Sequence, residues 1–250
     1  MKKLLTFVAL IAIINCTYAQ VTCSTIASIR AQKNNTEVLY TGTATTTFYA
    51  MGGILIEDET GYLFVKGSTL GEWGSAKVKT NMKISNIYGI YKTATDEEMS
   101  QIHVEFVEDI NSIKIVSENA TFNITDVALN DLLANPESYE CQPIRLTNID
   151  VTNTGWSYYI GSGNQEIALV PGFGVTIPTR GTFEGYYGND GTKGFIIPSA
   201  EHVTATAYGT LIELKNAYET EAPNSLEIIE PMVVNYVKTN PDNSLNVYVQ

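Results

Sequence analysis

The sequence predicts an all-β protein built from units in tandem, each opened by a short helix, with an incomplete last unit. Three observations lead there. Short β-branched and aromatic runs are separated by Gly, Asn and Asp, the pattern of strands joined by turns. Three segments carry apolar residues at helical spacing behind a residue suited to capping a helix. The strands after each opening then recur in the same order, the mark of an internal repeat.

The openings are TIASIRAQ from Thr25, TDVALNDLLANP from Thr125 and TLIELKNAY from Thr210. In each, a threonine precedes apolar residues that share one helical face: Ile26 and Ile29, then Leu129, Leu132 and Leu133, then Leu211 and Leu214. A long first strand follows each opening: EVLYTGTATTTFYA, CQPIRLTNIDVTNT and SLEIIEPMVVNYVKT. A second strand ending in polar residues comes next, as GGILIEDETG, GWSYYIGSGN and SLNVYVQ. Units one and two continue through TGYLFVKG and QEIALVP. Both then reach a strand whose glycine, Gly89 or Gly185, has tyrosine beside it. Each closes with one more strand region. The expected boundaries are 20–119, 120–208 and 209–250. The third unit has no closing strands, so it is expected to be a truncated barrel; the alternative is that it packs on the second unit.

Residues 1–19 have the parts of a secretory signal. Lys2 and Lys3 form a basic start, Leu4 to Ile14 an apolar run short for a membrane span, and Thr17-Tyr18-Ala19 a small-residue cleavage site. An uncleaved anchor and a lipoprotein signal using Cys16 remain open alternatives. Export to the periplasm, outer cell surface or medium is the expectation. The chain of 250 residues carries a formal charge of −12, which opposes non-specific binding to nucleic acid, a process driven by neutralising phosphates. After cleavage two cysteines remain, Cys23 and Cys141. Export permits a bridge between them, and two buried free thiols are the other reading.

Taken together, T25IASIRAQ, Y40TGTATT, I54LIEDETGYLFVKG and I87YGIY resemble the secreted OB-fold domains of Bacteroidetes-type bacteria. Thr25, Ile26 and Ile29 match the helical start of that family, Gly42 and Ala44 its first strand, and Ile54, Ile56, Asp58, Thr60 and Gly61 its hairpin. The second unit matches through Ile144, Leu146 and Ile149. It lacks the first-strand glycine and has Ser162 where unit one has Asp58. In the third, Pro231 lies near the glycine position. The resemblance implies five-stranded Greek-key barrels in tandem, a fold whose face elsewhere binds oligonucleotides and oligosaccharides. Similar modules occur appended to nucleases and other hydrolases, so the fold licenses no single activity.

Residues able to carry chemistry are few. Glu57, Asp58 and Glu59 sit at a strand-turn, where successive side chains diverge. They are expected to be a solvated turn in which the Asp58 carboxylate accepts backbone N–H groups, with Asp58 and Glu59 the candidates if a metal is held. His103 and His202 have no partner at metal-ligand spacing and are expected at the surface. No nucleophile motif and no cofactor fingerprint is present. The binding cue is aromatic: Trp156, Tyr158, Tyr159, Tyr186 and Tyr187 concentrate in unit two, where exposed rings would stack on a ligand. Basic residues do not interleave with them, which favours a neutral glycan or an envelope protein. The expectation is a secreted, non-catalytic binding or spacer protein that uses no cofactor. A nucleic-acid-binding or nuclease-accessory protein and a metal-dependent hydrolase are the alternatives.

Overall fold

The structure is a computed structural model. It describes residues 20–206, except 51, 68–69, 71–77, 96, 106, 163–164 and 190, together with 234–239 and 245–249. The expected signal segment 1–19 and the helix expected from Thr210 lie outside the described residues.

Strand alternation builds the first unit. It comprises β1 (Val21–Cys23), α1 (Ile26–Arg30), β2 (Thr36–Tyr40), β3 (Ala44–Ala50), β4 (Gly53–Asp58), β5 (Gly61–Lys66), β6 (Lys83–Ser85), β7 (Ile87–Lys92), β8 (Gln101–His103), α2 (Val107–Ser112) and β9 (Lys114–Ser117). The order β2-β7-β8-β5-β4-β3 begins and ends on the two halves of the expected long first strand, so the sheet curls round. Ile54 and Ile56 point into its core with Val38, Leu63 and Ile102, while Leu55, between them, points outward. Helix α1 closes the core with Ile26 and Ile29, both fully buried. Each such side chain contributes about 2 kcal/mol of hydrophobic stabilisation.

The second unit repeats the plan. It comprises β10 (Thr125–Asp126), α3 (Leu129–Ala134), a 3₁₀ turn (Pro136–Tyr139), β11 (Ile144–Asn153), β12 (Tyr158–Ser162), β13 (Gln165–Pro171), β14 (Arg180–Asn189), β15 (Lys193–Ile197), a 3₁₀ turn (Ala200–His202) and β16 (Val203–Ala205). Its strands run β11-β12-β13-β15-β14, and β14 pairs back onto β11 to close a five-stranded barrel. β13 and β15 are parallel, as are β5 and β8 in unit one. An entry strand lies parallel to the first barrel strand in both units, β1 on β2 and β10 on β11.

The two glycines beside tyrosine occupy the same place. Gly89 lies opposite Val38 and Gly185 opposite Ile144. A Cβ on Gly89 would come 2.5 Å from the His103 carbonyl oxygen, and one on Gly185 2.0 Å from that of Ile196. Neither position has room for a side chain, because the backbone of the closing strand passes over it.

One expectation is corrected. Thr125 does not cap a helix: it is in β10, and α3 starts after Ala128, which has no capping side chain. Unit two has no glycine at its first-strand position: a Cβ on Gly42 would come 2.2 Å from the Ser24 carbonyl oxygen, whereas its counterpart takes a different, left-handed backbone. Counting from Val38 and Ile144, Gly42 and Asn148 fall on the same step, and Asn148 adopts φ 56°. Asparagine tolerates that left-handed backbone better than most residues. The bulge there shifts the register between Leu146 and Ile149, so Ile144, Leu146, Ile149 and Val151 are all buried despite the broken alternation. From the third unit, β17 (Val234–Thr239) and β18 (Leu245–Val249) form an antiparallel hairpin.

Candidate functional site

The aromatic residues singled out in unit two part company. Trp156 is 97% exposed in the turn 154–157 between β11 and β12. Tyr158 is half-buried and packs on the barrel core, while Tyr159, the next residue along β12, is half-buried and takes the outer side. Tyr186 and Tyr187 are not part of an exposed row, which corrects the expectation: they are 0% and 5% exposed. Tyr187 points inward against the core that includes Leu132 and Phe195. Burial raises its hydroxyl above the usual range, and the nearby Glu137 adds to the shift. Tyr186 points out of the barrel but meets the first unit, its ring stacked on Phe48 with centroids 6.4 Å apart.

That contact belongs to a joint the sequence did not foretell. Phe48, Ala50, Leu55, Phe64 and Met99 of the first unit pack against Cys141, Tyr186 and Ile196 of the second. The joint is also latched by charge. The Arg30 guanidinium at the end of α1 donates to the Tyr62 carbonyl and, at 3.0 Å, to Oε2 of Glu140. Oε1 of Glu140 accepts the Ser100 N–H at 3.1 Å, and this side chain is only 9% exposed. A buried carboxylate with both oxygens engaged meets the condition on which burying a charge is tolerable. Consequently the outer face of β3, β4 and β5 is covered by the second unit. The outer face of β11 and β12, with Thr152 and Tyr159, stays partly open, bounded by Trp156.

Asp58 accepts a backbone N–H within the turn, as expected, and beyond that has a structural task that a solvated charge would not have. Its Oδ2 accepts the Ile26 N–H at 2.8 Å and the Tyr40 hydroxyl at 3.1 Å. Its Oδ1 accepts the Thr60 N–H and hydroxyl at 2.8 and 2.6 Å. The Thr60 hydroxyl oxygen in turn accepts the Ala27 N–H at 3.0 Å. The hairpin turn of β4 and β5 therefore supplies caps to the first free N–H groups of α1, alongside the capping box of Thr25 and Ser28. Burial, with Asp58 beside it, drives the Tyr40 hydroxyl well above its usual range. Glu59 is exposed at the turn. Among the described residues no three His, Cys, Asp or Glu side chains are grouped to hold a metal ion.

His202 is not a surface histidine either. Its Nδ1 lies 3.3 Å from Oε2 of Glu184 and its Nε2 3.6 Å from Oε1 of Glu201, and its ring meets Phe48 edge-on at 4.9 Å. Two carboxylates beside a histidine are the raw material of acid–base chemistry. Here, however, Glu184 is committed elsewhere: Arg145 donates to its other oxygen at 2.9 Å and also pairs with Asp126. These carboxylates hold the Arg145 guanidinium further above its usual range. The cluster ties β11, β14 and the turn before β16 to the joint.

Cys23 and Cys141 are both free and buried, so the possible bridge is not made. Cys23 belongs to the core of the first unit and Cys141 to the joint, where its thiol lies 3.7 Å from the Met99 sulfur. Burial pushes the Cys141 thiol up, which disfavours the reactive thiolate. Phe173 went unnoticed in the sequence, yet it is 87% exposed in the loop after β13. Its only signal was its place between two glycines in PGFGV. No protein-family model matches this sequence, and no curated protein matches it.

Proposed function

We propose that this is an exported, non-catalytic binding module of two OB-like barrels, the second of which offers the ligand surface. Support for the OB-like reading is the strand order shared by both units, with the parallel pairing of third and fifth strands. Barrels of this kind bind along the face of strands two and three and the adjoining loops. In the first barrel that face is closed by the joint. In the second, Trp156 stands exposed at its border, and this single observation carries the proposal.

A neutral glycan or an envelope protein is the favoured ligand. The nearby guanidinium groups already face carboxylates, Arg145 with Glu184 and Asp126 and Arg180 with Asp150 at 3.8 Å. Phosphate recognition would need such cations available. The test is binding to a panel of neutral polysaccharides, single-stranded DNA and envelope proteins, with Trp156→Ala beside the parent. Loss of about tenfold or more in affinity for one neutral ligand is expected, in line with the ~1–3 kcal/mol of a stacked ring. Salt-sensitive binding of DNA alone would overturn the reading. So would metal-dependent turnover in a hydrolase panel that Asp58→Asn abolishes.

A further inference from the structure

Trp156 and Phe173 stand at the same end of the second barrel. Asn153 pairs with Tyr158, Tyr158 with Leu169, and Pro171 with Ile197, so the turn 154–157 and the loop 172–179 leave the barrel side by side in its pairing order. Both loops, TGWS and GFGVTIPT, are free of charged residues in a chain of net charge −12. The nearest strand charges, Asp150 and Arg180, face each other at the barrel rim. Glu201 lies in the turn that follows β15. The end therefore presents two aromatic rings, 97% and 87% exposed, on charge-free loops, with the exposed carboxylates of Asp150 and Glu201 on the neighbouring strand and turn.

We infer that this end inserts shallowly into the headgroup region of a zwitterionic lipid bilayer. Aromatic rings this exposed can also enter a deformable partner. Trp and Phe gain by lying at a membrane–water interface, and uncharged loops carry no cost of dehydrating charge. The acidic chain and the lack of Lys and Arg on the tips argue against an anionic surface. The inference goes beyond the glycan or protein ligand proposed above but shares Trp156 with it.

The test uses the chain from Gln20 onward, which keeps every described strand and removes the apolar leader. Phosphatidylcholine vesicles are added, and tryptophan emission and co-sedimentation are followed. A Trp73→Phe background leaves Trp156 as the sole reporter, and co-sedimentation of the unsubstituted chain needs no such change. A blue shift, protection from acrylamide and salt-independent co-sedimentation are expected. Phe173→Ser should weaken partitioning by about tenfold, from the loss of one buried aromatic ring. No shift and no co-sedimentation would overturn the inference, as would stronger binding to anionic vesicles. If a soluble neutral polysaccharide shifts the emission and vesicles do not, the membrane inference fails and the ligand reading stands. If neither does, both fail.

Discussion

The two barrels share a strand plan and differ in how each holds its helix and uses its outer face. In the first, α1 is capped by Thr25 and, from the β4–β5 hairpin turn, by Asp58 and Thr60. In the second, α3 starts at Ala128 with no side-chain cap. The first buries its β3–β5 face in the joint, while the second keeps β11 and β12 partly open. The difference teaches that a repeated strand order persists even where the local devices that support it in one unit are absent from the other. Unit two places asparagine where unit one has Gly42, and it leaves the N-terminal groups of its helix without the carboxylate that Asp58 supplies.

The sharpest way to break this comparison is Asp58→Ala. It removes the acceptor of the Ile26 N–H and the Tyr40 hydroxyl, and a loss of about 3 kcal/mol is expected. Urea unfolding followed by circular dichroism reads it, and a change below about 0.5 kcal/mol would show that the hairpin cap contributes little. Next comes the joint. Glu140→Ala leaves the Ser100 N–H and Arg30 without their acceptor and should cost about 2 kcal/mol, less than a fully buried pair because Arg30 is partly solvated. The expected sign is the separation of one unfolding transition into two. A single transition with an unchanged midpoint would mean the apolar cluster alone joins the barrels.

The comparison is sharpened in the opposite sense by Ala128→Asp, which gives α3 the cap it lacks. A gain of about 0.5–1 kcal/mol is expected in thermal unfolding; a loss would indicate that the extended backbone at Ala128 does not aim a carboxylate at the helix. The smallest effect concerns pH. Glu57 in β4 pairs with Tyr62, and Gly161 in β12 with Glu166, so the carboxyl of this pair lies on the second barrel strand in the first barrel and on the third in the second. Burial raises the Glu57 carboxyl above the usual carboxylate range, so the folded state holds its proton more tightly than the unfolded chain. That contribution is complete below the unfolded-state value and disappears as pH rises through the folded-state value. Glu57→Gln should therefore match the parent at acid pH and exceed it at neutral pH in unfolding titrations. Parallel stability profiles would contradict this.

Much of the fold was legible in the residues themselves. Alternation in ILIEDETGYLFV puts Ile54 and Ile56 on one face and Leu55 on the other, as their packing does, and the glycines beside tyrosine marked a real equivalence between the units. The caps were less legible. Thr125 resembled Thr25 in its local pattern, but a capping threonine and a strand threonine differ only in backbone conformation, which neighbouring strands impose. Tyr186 and Tyr187 read as a candidate platform because adjacent strand residues alternate. One faces the core and the other faces out, and only the neighbouring unit decides that the outward one is buried.

By itself, then, the sequence determined the β class, the repeated order of strands, the hairpin at Asp58 to Gly61 and the α1 start. All of these follow from short-range periodicity and local backbone preference. Tertiary structure alone decided that Asp58 caps a helix 32 residues before it in the chain, that Glu140 and Arg30 latch two units, and that Trp156 and Phe173 share one end. Each of these joins residues far apart in the chain or sets which side of a strand is covered. No local pattern encodes such distances, because they arise only when the sheets curl and pack.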